Sequence, residues 1–349
     1  MRSRGAVLVF VAALLVGAAG CSAQPGTAVP RDWTGSPVYA SLKALPATTD
    51  SLFEIGLVDA RKLNALDQYA EKPKSTTAPA SGLRPPSDYA WTNYSIAGSA
   101  CALLETSYQA LPPGYRAGPP GDLLTVYNGK PTPDTTVGVC HGEVNLDVLG
   151  KAAKPRSIGG VAGVDFNGLW IGQTRDLTFQ LGPKVDPSVT PGLLAGASVT
   201  TSLADDPGVT AVLAANPQAA MIEMGTIFVG LAGLGSSSKA LRQLVTDAAA
   251  AQGTTLPNPV FGGYGWTPGT GLTGTATFVT RYSVDQQATT AGALLSATWP
   301  KATGTPFAGA TTTVTGSVVI TRLADAKVDL FNLRTMRLAD YPGYGAKNS

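Results

Sequence analysis

Leu52-Phe-Glu-Ile-Gly56 and Met221-Ile-Glu-Met-Gly225 are two versions of one pattern, apolar at the first, second and fourth positions, glutamate at the third and glycine at the fifth. In the first version Phe53, Ile55 and Leu57 point one way while Glu54 and Gly56 point the other, the period-two signal of a half-buried strand. Each version is preceded by a second shared stretch. Val38-Tyr-Ala-Ser-Leu-Lys-Ala-Leu-Pro46 aligns with Val209-Thr-Ala-Val-Leu-Ala-Ala-Asn-Pro217, with Val, Ala, Leu, Ala and Pro at the same spacing. A further anchor aligns Thr92-Asn-Tyr-Ser-Ile96 with Thr280-Arg-Tyr-Ser-Val284, then Ala102-Leu103-Leu104 with Ala293-Leu294-Leu295, with Tyr108 facing Trp299. Two anchors in the same order predict duplication of a unit longer than a solenoid repeat.

The expected fold is therefore α+β, two pseudo-repeated α/β halves with mixed or antiparallel sheets. Asp59 caps a short helix carrying Leu63, Leu66 and Ala70 on one stripe. In the second half Ala276, Phe278, Tyr282 and Val284 share a strand face. Asp285 then opens a helix with Ala288, Ala291 and Leu295 along one side, and Pro300 stops it. Thr311 to Leu323 is rich in Thr and Val, bends at Gly316 and returns as a strand. In the first half Ser99 caps a helix whose Cys101, Leu104, Tyr108 and Leu111 fall on one face. From residue 140 onward Cys140, Gly142, Val144, Leu146 and Val148 alternate with His141, Glu143, Asn145 and Asp147, as on a strand with one dry face.

These signals divide the chain into a signal peptide (1–20), a polar Pro/Gly tether (21–37), a first half (38–182), a linker with four prolines (183–208), a second half (209–324) and a C-terminal helix and tail (325–349). The first half carries a Pro/Gly-rich insertion of roughly residues 111 to 160. With Cys21 committed elsewhere, Cys101 and Cys140 are the only possible disulfide pair. Closing that loop contributes about 4 kcal/mol on the loop-entropy model. A reactive thiol pair lacks the Cys-x-x-Cys spacing of redox sites.

The N-terminus reads as a targeting device. Arg2 and Arg4 precede an apolar or small-residue run from Ala6 to Ala19, shorter than the roughly 18 to 20 residues a membrane-spanning helix needs. The run ends in Ala18-Ala19-Gly20-Cys21, which resembles the bacterial lipobox, where the cysteine sulfur takes a diacylglyceryl group and becomes the first mature residue. Leu usually stands where this chain has Ala18, and an ordinary secretory peptide cleaved nearby is the alternative. Several acyl chains on one residue give stable anchoring where a single chain is marginal.

Composition narrows the function further. The chain of 349 residues is 44% hydrophobic, 14% charged and 7% aromatic, too apolar for disorder and too weakly charged for a nucleic-acid binder. Losing Arg2 and Arg4 takes the basic count from 25 to 23, equal to the 23 acidic residues. No net field then remains to steer phosphates or anionic substrates.

Candidate chemical groups are few. His141 is the single histidine, beside a cysteine and without a Gly-x-Ser-x-Gly elbow. One histidine and no uncommitted thiol disfavour zinc, so no metal and no cofactor are expected. Asp165-Phe-Asn-Gly168 has a fragment of a calcium loop but reads better as a hairpin turn. Ser236-Ser-Ser-Lys239 matches Ser-x-x-Lys without a Lys-Thr-Gly partner, and a serine before Lys-Ala-Leu-Arg reads as a helix cap. Gly159-Gly160-Val-Ala-Gly163 lacks the phosphate-loop lysine. Met221 to Gly235 is nearly all apolar, as in a buried strand or helix.

Two candidate binding features remain. Glu54 and Glu223 hold equivalent positions in the duplicated pattern, and across a pseudo-two-fold axis they could meet and share a proton. The plainer reading puts each on the solvated face of its strand. Phe261-Gly-Gly-Tyr-Gly-Trp266 places Phe261, Tyr264 and Trp266 on a glycine-rich loop, a composition that stacks on sugar rings, docks a partner or pins the loop to its domain.

The signal peptide, the lipobox-like end and the Ala/Gly/Pro/Thr-rich remainder together resemble secreted lipoproteins of actinobacteria, of the mycobacterial type, many without assigned function. The specific motifs of that resemblance lie within residues 2 to 21. It implies lipid attachment at the outer face of the cytoplasmic membrane and carries no catalytic residue across. The expected function is a non-enzymatic envelope lipoprotein whose two halves form a groove for a ligand or a protein partner. A transporter-linked solute-binding lipoprotein is the first alternative and predicts two parallel-sheet lobes with a hinge. A secreted hydrolase is the second, and requires His141, Ser236 or the Glu54/Glu223 pair in a concave site.

Overall fold

The two copies of the glutamate pattern form neighbouring strands. The computed structural model describes residues 31–59, 62, 123–130, 132–141, 153–166, 168–173, 177–186, 201–229, 236–271, 273–327 and 341–344. Its first strands are β1 (Glu54–Val58), β2 (Leu123–Tyr127), β3 (Thr136–His141), β4 (Lys154–Ile158), β5 (Val161–Phe166), β6 (Leu169–Gln173) and β7 (Leu177–Leu181). The remainder are β8 (Met221–Gly225), β9 (Phe261–Pro268), β10 (Thr273–Arg281), β11 (Thr311–Thr315) and β12 (Val318–Lys327). They make one sheet in the order β11-β12-β10-β9-β8-β1-β2-β3-β7-β6-β5-β4. Every neighbouring pair in it is antiparallel. The fold is α+β with a predominantly antiparallel sheet.

Helices cover both faces. The helices are α1 (Arg31–Thr34), α2 (Pro37–Ala44), α3 (Pro207–Ala215), α4 (Ser236–Ala251) and α5 (Asp285–Thr298). Two of them start by the same device. At α2 the Ser36 side chain accepts from Tyr39 N and proline opens the first turn; at α3 Asp206 accepts from Gly208 N and Val209 N, again with proline next. Such caps satisfy amide donors that a helix start leaves without partners. On one face Leu42 and Leu45 of the α2 region and Val209 and Leu213 of α3 pack with Ile55, Leu57, Ile222 and Met224. On the other, Leu241 and Val245 of α4 and Ala288, Ala291 and Leu295 of α5 pack with Tyr264, Trp266 and Phe278.

Double cover corrects the half-buried reading of the first strand, because all five residues of β1 are buried. The irregular-insertion reading of 111–160 also changes, since β2 and β3 lie well inside the sheet between β1 and β7. At the far end of the linker, Leu203 and Ala204 are buried, Leu203 N donates to Leu45 O at 2.8 Å, and Pro46 bridges to Ser202. That part of 183–208 is packed, and it ties the segment before β1 to the start of α3. In the 325–349 region β12 runs on to Lys327, and Tyr341 and Tyr344 are fully buried, so residues 341–344 belong to the core rather than to a tail. The helix expected there lies outside the described residues.

Several local expectations meet their elements. Helix α5 opens at Asp285 and gives way to a 3-10 turn containing Pro300. Gly316, at φ 55°, turns β11 into β12, and Gly168, at φ 81°, closes the β5–β6 hairpin over the Asp165–Gly168 stretch. Asp59 Oδ1 accepts from Lys62 N at 3.2 Å, as a cap does. Ser236 is the first residue of α4, with Lys239 exposed. Val284 departs from its expected face and stands 51% exposed just before α5. The anchor at 92–96, the helix after Ser99 with Cys101, and the alternation beyond His141 lie outside the described residues, as do the signal peptide and Cys21.

Candidate functional site

The centre of the sheet holds a buried acidic pair. Strands β1 and β8 pair with Ile55 opposite Met224 and Gly56 opposite Glu223. Glu54, two residues before Gly56, is thus the diagonal neighbour of Glu223 on the same face, a relationship that puts the side-chain origins about 7 to 8 Å apart. On its outer side Glu54 faces Tyr127 of β2, and on its outer side Glu223 faces Tyr264 of β9. Each glutamate therefore stands beside a tyrosine from the neighbouring strand, with the Ile55–Met224 pair directed to the opposite face.

Burial changes the meaning of these carboxyls. Glu54 is 3% exposed and Glu223 1% exposed, so neither decorates a solvated face. Ionised carboxylates at such depth need hydrogen bonds or opposite charge, and both glutamates and both tyrosines take part in polar or ring interactions. Gly225, at φ 152°, lets the chain leave β8 tightly against Phe53 and Glu54, where a Cβ would overlap the Phe53 carbonyl oxygen. Thr226 N and Ile227 N then donate to Leu52 O and Phe53 O.

An aromatic and phenolic wall continues from Glu223. Tyr344 packs against Phe228 at 5.4 Å between ring centroids, and its hydroxyl donates to Gly263 O at 3.0 Å. Its pKa is held well above the phenol value, first by burial and then by the charges of Tyr341 and Glu223. Tyr341 stacks on Phe278 at 4.7 Å and shares a 2.9 Å hydrogen bond with Thr321. Burial also raises its pKa. The Tyr282 phenol is pushed up to about 12 by burial, against a smaller lowering from its hydrogen bond with Thr280.

The aromatic candidates are corrected outright. Phe261, Tyr264 and Trp266 lie on β9 rather than on a loop and are 4%, 2% and 0% exposed. Alternation sends Phe261 to the α2/α3 face and Tyr264 and Trp266 to the α4/α5 face, so they form no common stacking platform. The glycines between them answer to close packing. A Cβ on Gly262 would lie 2.9 Å from the Tyr344 ring, one on Gly263 would lie 2.6 Å from Met224 Cβ, and one on Gly265 would overlap the Asn216 side chain.

Cys140 lies buried on β3, with its partner candidate Cys101 outside the described residues. Strand β3 ends at His141. Among the described residues, no three His, Cys, Asp or Glu side chains cluster to hold a metal, and no helix is long and apolar enough to cross a membrane. Tyr264, which faces Glu223, is a sequence candidate in a different setting, a loop platform, whereas Tyr127, which faces Glu54, and the Tyr341/Tyr344 wedge carry no such signal. Tyr127 lies in Leu123-Leu-Thr-Val-Tyr127, whose strand character the surrounding prolines and glycines obscured.

No family model matches the chain, and no curated protein does. Among solved structures it is similar to crystal form I of TP0453, with a TM-score of 0.43 and 8% identity, covering 83% of this chain and 93% of that one.

Proposed function

We propose that this protein is an envelope lipoprotein, anchored through Cys21 at the outer face of the cytoplasmic membrane, whose folded body binds a ligand or partner without catalysing a reaction. The observation that carries the reading is the passage from the charged start and short apolar run into Ala18-Ala19-Gly20-Cys21, followed by the polar stretch expected as a tether over 21–37, whose last part is corrected by helix α1 at Arg31–Thr34 and the burial of Trp33. The non-enzymatic part is supported by the depth of Glu54 and Glu223, which keeps the paired carboxyls from a substrate in solvent. One continuous antiparallel sheet is also unlike the two hinged parallel-sheet lobes of the solute-binding alternative.

The body reads as two copies of one unit joined edge to edge at β1 and β8. Outward from the junction the order is β1-β2-β3-β7-β6 on one side and β8-β9-β10-β12-β11 on the other. A Pro-started helix precedes each inner strand, and each glutamate faces a tyrosine. On this reading β3 is the counterpart of β10, which displaces the 92–96 anchor. The β4–β5 hairpin becomes the added piece, and Cys101 and Cys140 form the disulfide of the first copy.

Intact-mass analysis of the unreduced full-length gene product, together with palmitate-analogue labelling, tests this. The expected product lacks residues 1–20, carries a diacylglyceryl and acyl mass on Cys21 and is short of the hydrogens that one disulfide removes. Label retained at parental strength by Cys21→Ala, or an unmodified mature N-terminus, overturns the anchor.

A further inference from the structure

The two ends of the sheet are built differently. Strand β4 ends one side with Lys154, Pro155 and Arg156 exposed. Charge and a missing amide donor are the usual means of blocking edge-to-edge pairing. Strand β11 ends the other side as Thr311-Thr-Thr-Val-Thr315, without a charge or a proline, and Thr311, Thr313 and Val314 are exposed. Among the described residues no strand covers its outer edge. Val314, 39% exposed, leans on Gly292 of α5, where a Cβ would overlap its methyl group.

We propose that the outer edge of β11 pairs antiparallel with β11 of a second copy of this chain, about a two-fold axis through Thr313. That register sets Thr311 opposite Thr315 and Thr312 opposite Val314, so every facing pair is β-branched and no like charges meet. The same operation on β4 would bring basic side chains together. A two-fold axis perpendicular to the sheet keeps its faces aligned. Val314 of the second copy then arrives on the Thr312 side, the side that also carries α5. A groove of about 470 Å³ lies there, lined by Ser296, Trp299, Pro300, Ala310 and Thr312. Its floor is fixed by a hydrogen-bond relay: Trp299 Nε1 donates to Thr312 Oγ1 at 2.7 Å, and Thr312, Thr321 and Tyr341 follow at 2.9 Å steps. The uncharged, self-complementary edge favours a second copy over a charged peptide, and the two-fold uses up both β11 edges, leaving only the charged, proline-bearing β4 edges at the ends of the joined sheet.

Sedimentation velocity on the full chain in density-matched detergent tests the pairing. Five-residue edges make a small interface, below about 1,200 Å², so a reversible dimer is expected at concentrations on the order of 100 μM. Thr313→Lys places two ammonium groups across the axis and is expected to raise the dissociation constant at least about tenfold. Thr313→Val keeps the β-branched edge and retains the dimer, and Ser157→Lys on β4 leaves it unchanged. Matching circular dichroism melts show that the variants are folded. A parent chain that stays monomeric up to about 1 mM, or a Thr313→Lys chain that dimerises as the parent does, overturns the proposal.

Discussion

Glu54 and Glu223 stand diagonally across the β1–β8 ladder, on one face and on either side of the Ile55–Met224 pair. Both are buried, so each depends on its surroundings for compensation of its polar atoms. Glu54→Ala and Glu223→Ala are each expected to lower unfolding free energy by about 2 to 4 kcal/mol, the range for opening a buried polar contact and leaving a cavity. Sharing one region, the pair should be non-additive by about 0.5 kcal/mol or more in a double-mutant cycle. Urea denaturation of the four proteins reads this directly, and strict additivity would show two independent sites.

Gly265 and Asn216 are expected to behave as a pair. A Cβ on Gly265 overlaps the Asn216 amide, which is 1% exposed and held by Nδ2 donating to Val212 O at 3.0 Å. The Asn216 carbonyl accepts from Trp33 Nε1 at 3.0 Å, so the same residue links α1 to the end of α3. Gly265→Ala should cost about 1 to 3 kcal/mol by overpacking. In an Asn216→Ala background the same change should cost less than about 0.5 kcal/mol, because the colliding group is gone. Thermal melts of both pairs supply the comparison, and an unrelieved cost would place the strain in the backbone.

What could be read from the chain alone was what local periodicity encodes. The strand Glu54–Val58, helix α5 with Ala288, Ala291 and Leu295 inward, and the Gly316 turn each carry their own signal within a dozen residues. Strand β9 escaped because its glycines answer to distant neighbours, Asn216, Met224 and Tyr344, while removing the β-branched residues that announce a strand. The depth of Glu54 and Glu223 escaped for a related reason. Alternation shows which side chains share a face of a strand, whereas a second helical layer over that face is a property of the whole fold. The shared pattern around Glu54 and Glu223 is legible in the sequence; that Tyr127 and Tyr264 face them is not, since strand partners lie far away along the chain.

The buried phenols make alkaline stability the most direct reading of the core. A tyrosine whose folded pKa is raised stays protonated where the unfolded chain, near 10, already ionises. Its contribution is complete below about pH 10 and is lost as pH rises through the folded value, about 12 for Tyr282. Stability should therefore be flat up to about pH 9.5 and then fall by about 1.4 kcal/mol per pH unit for each such tyrosine until it ionises in place or the fold opens. Tyr282→Phe keeps the ring and loses a long 3.5 Å contact to Gly343 O together with the interaction with Thr280, so near neutrality it should differ little from the parent. Above about pH 10 its urea midpoint should fall less steeply, while tyrosinate absorbance in the parent should rise together with unfolding. Parallel pH slopes for the parent and Tyr282→Phe would mean that this phenol ionises freely in the folded protein, against the burial that surrounds it.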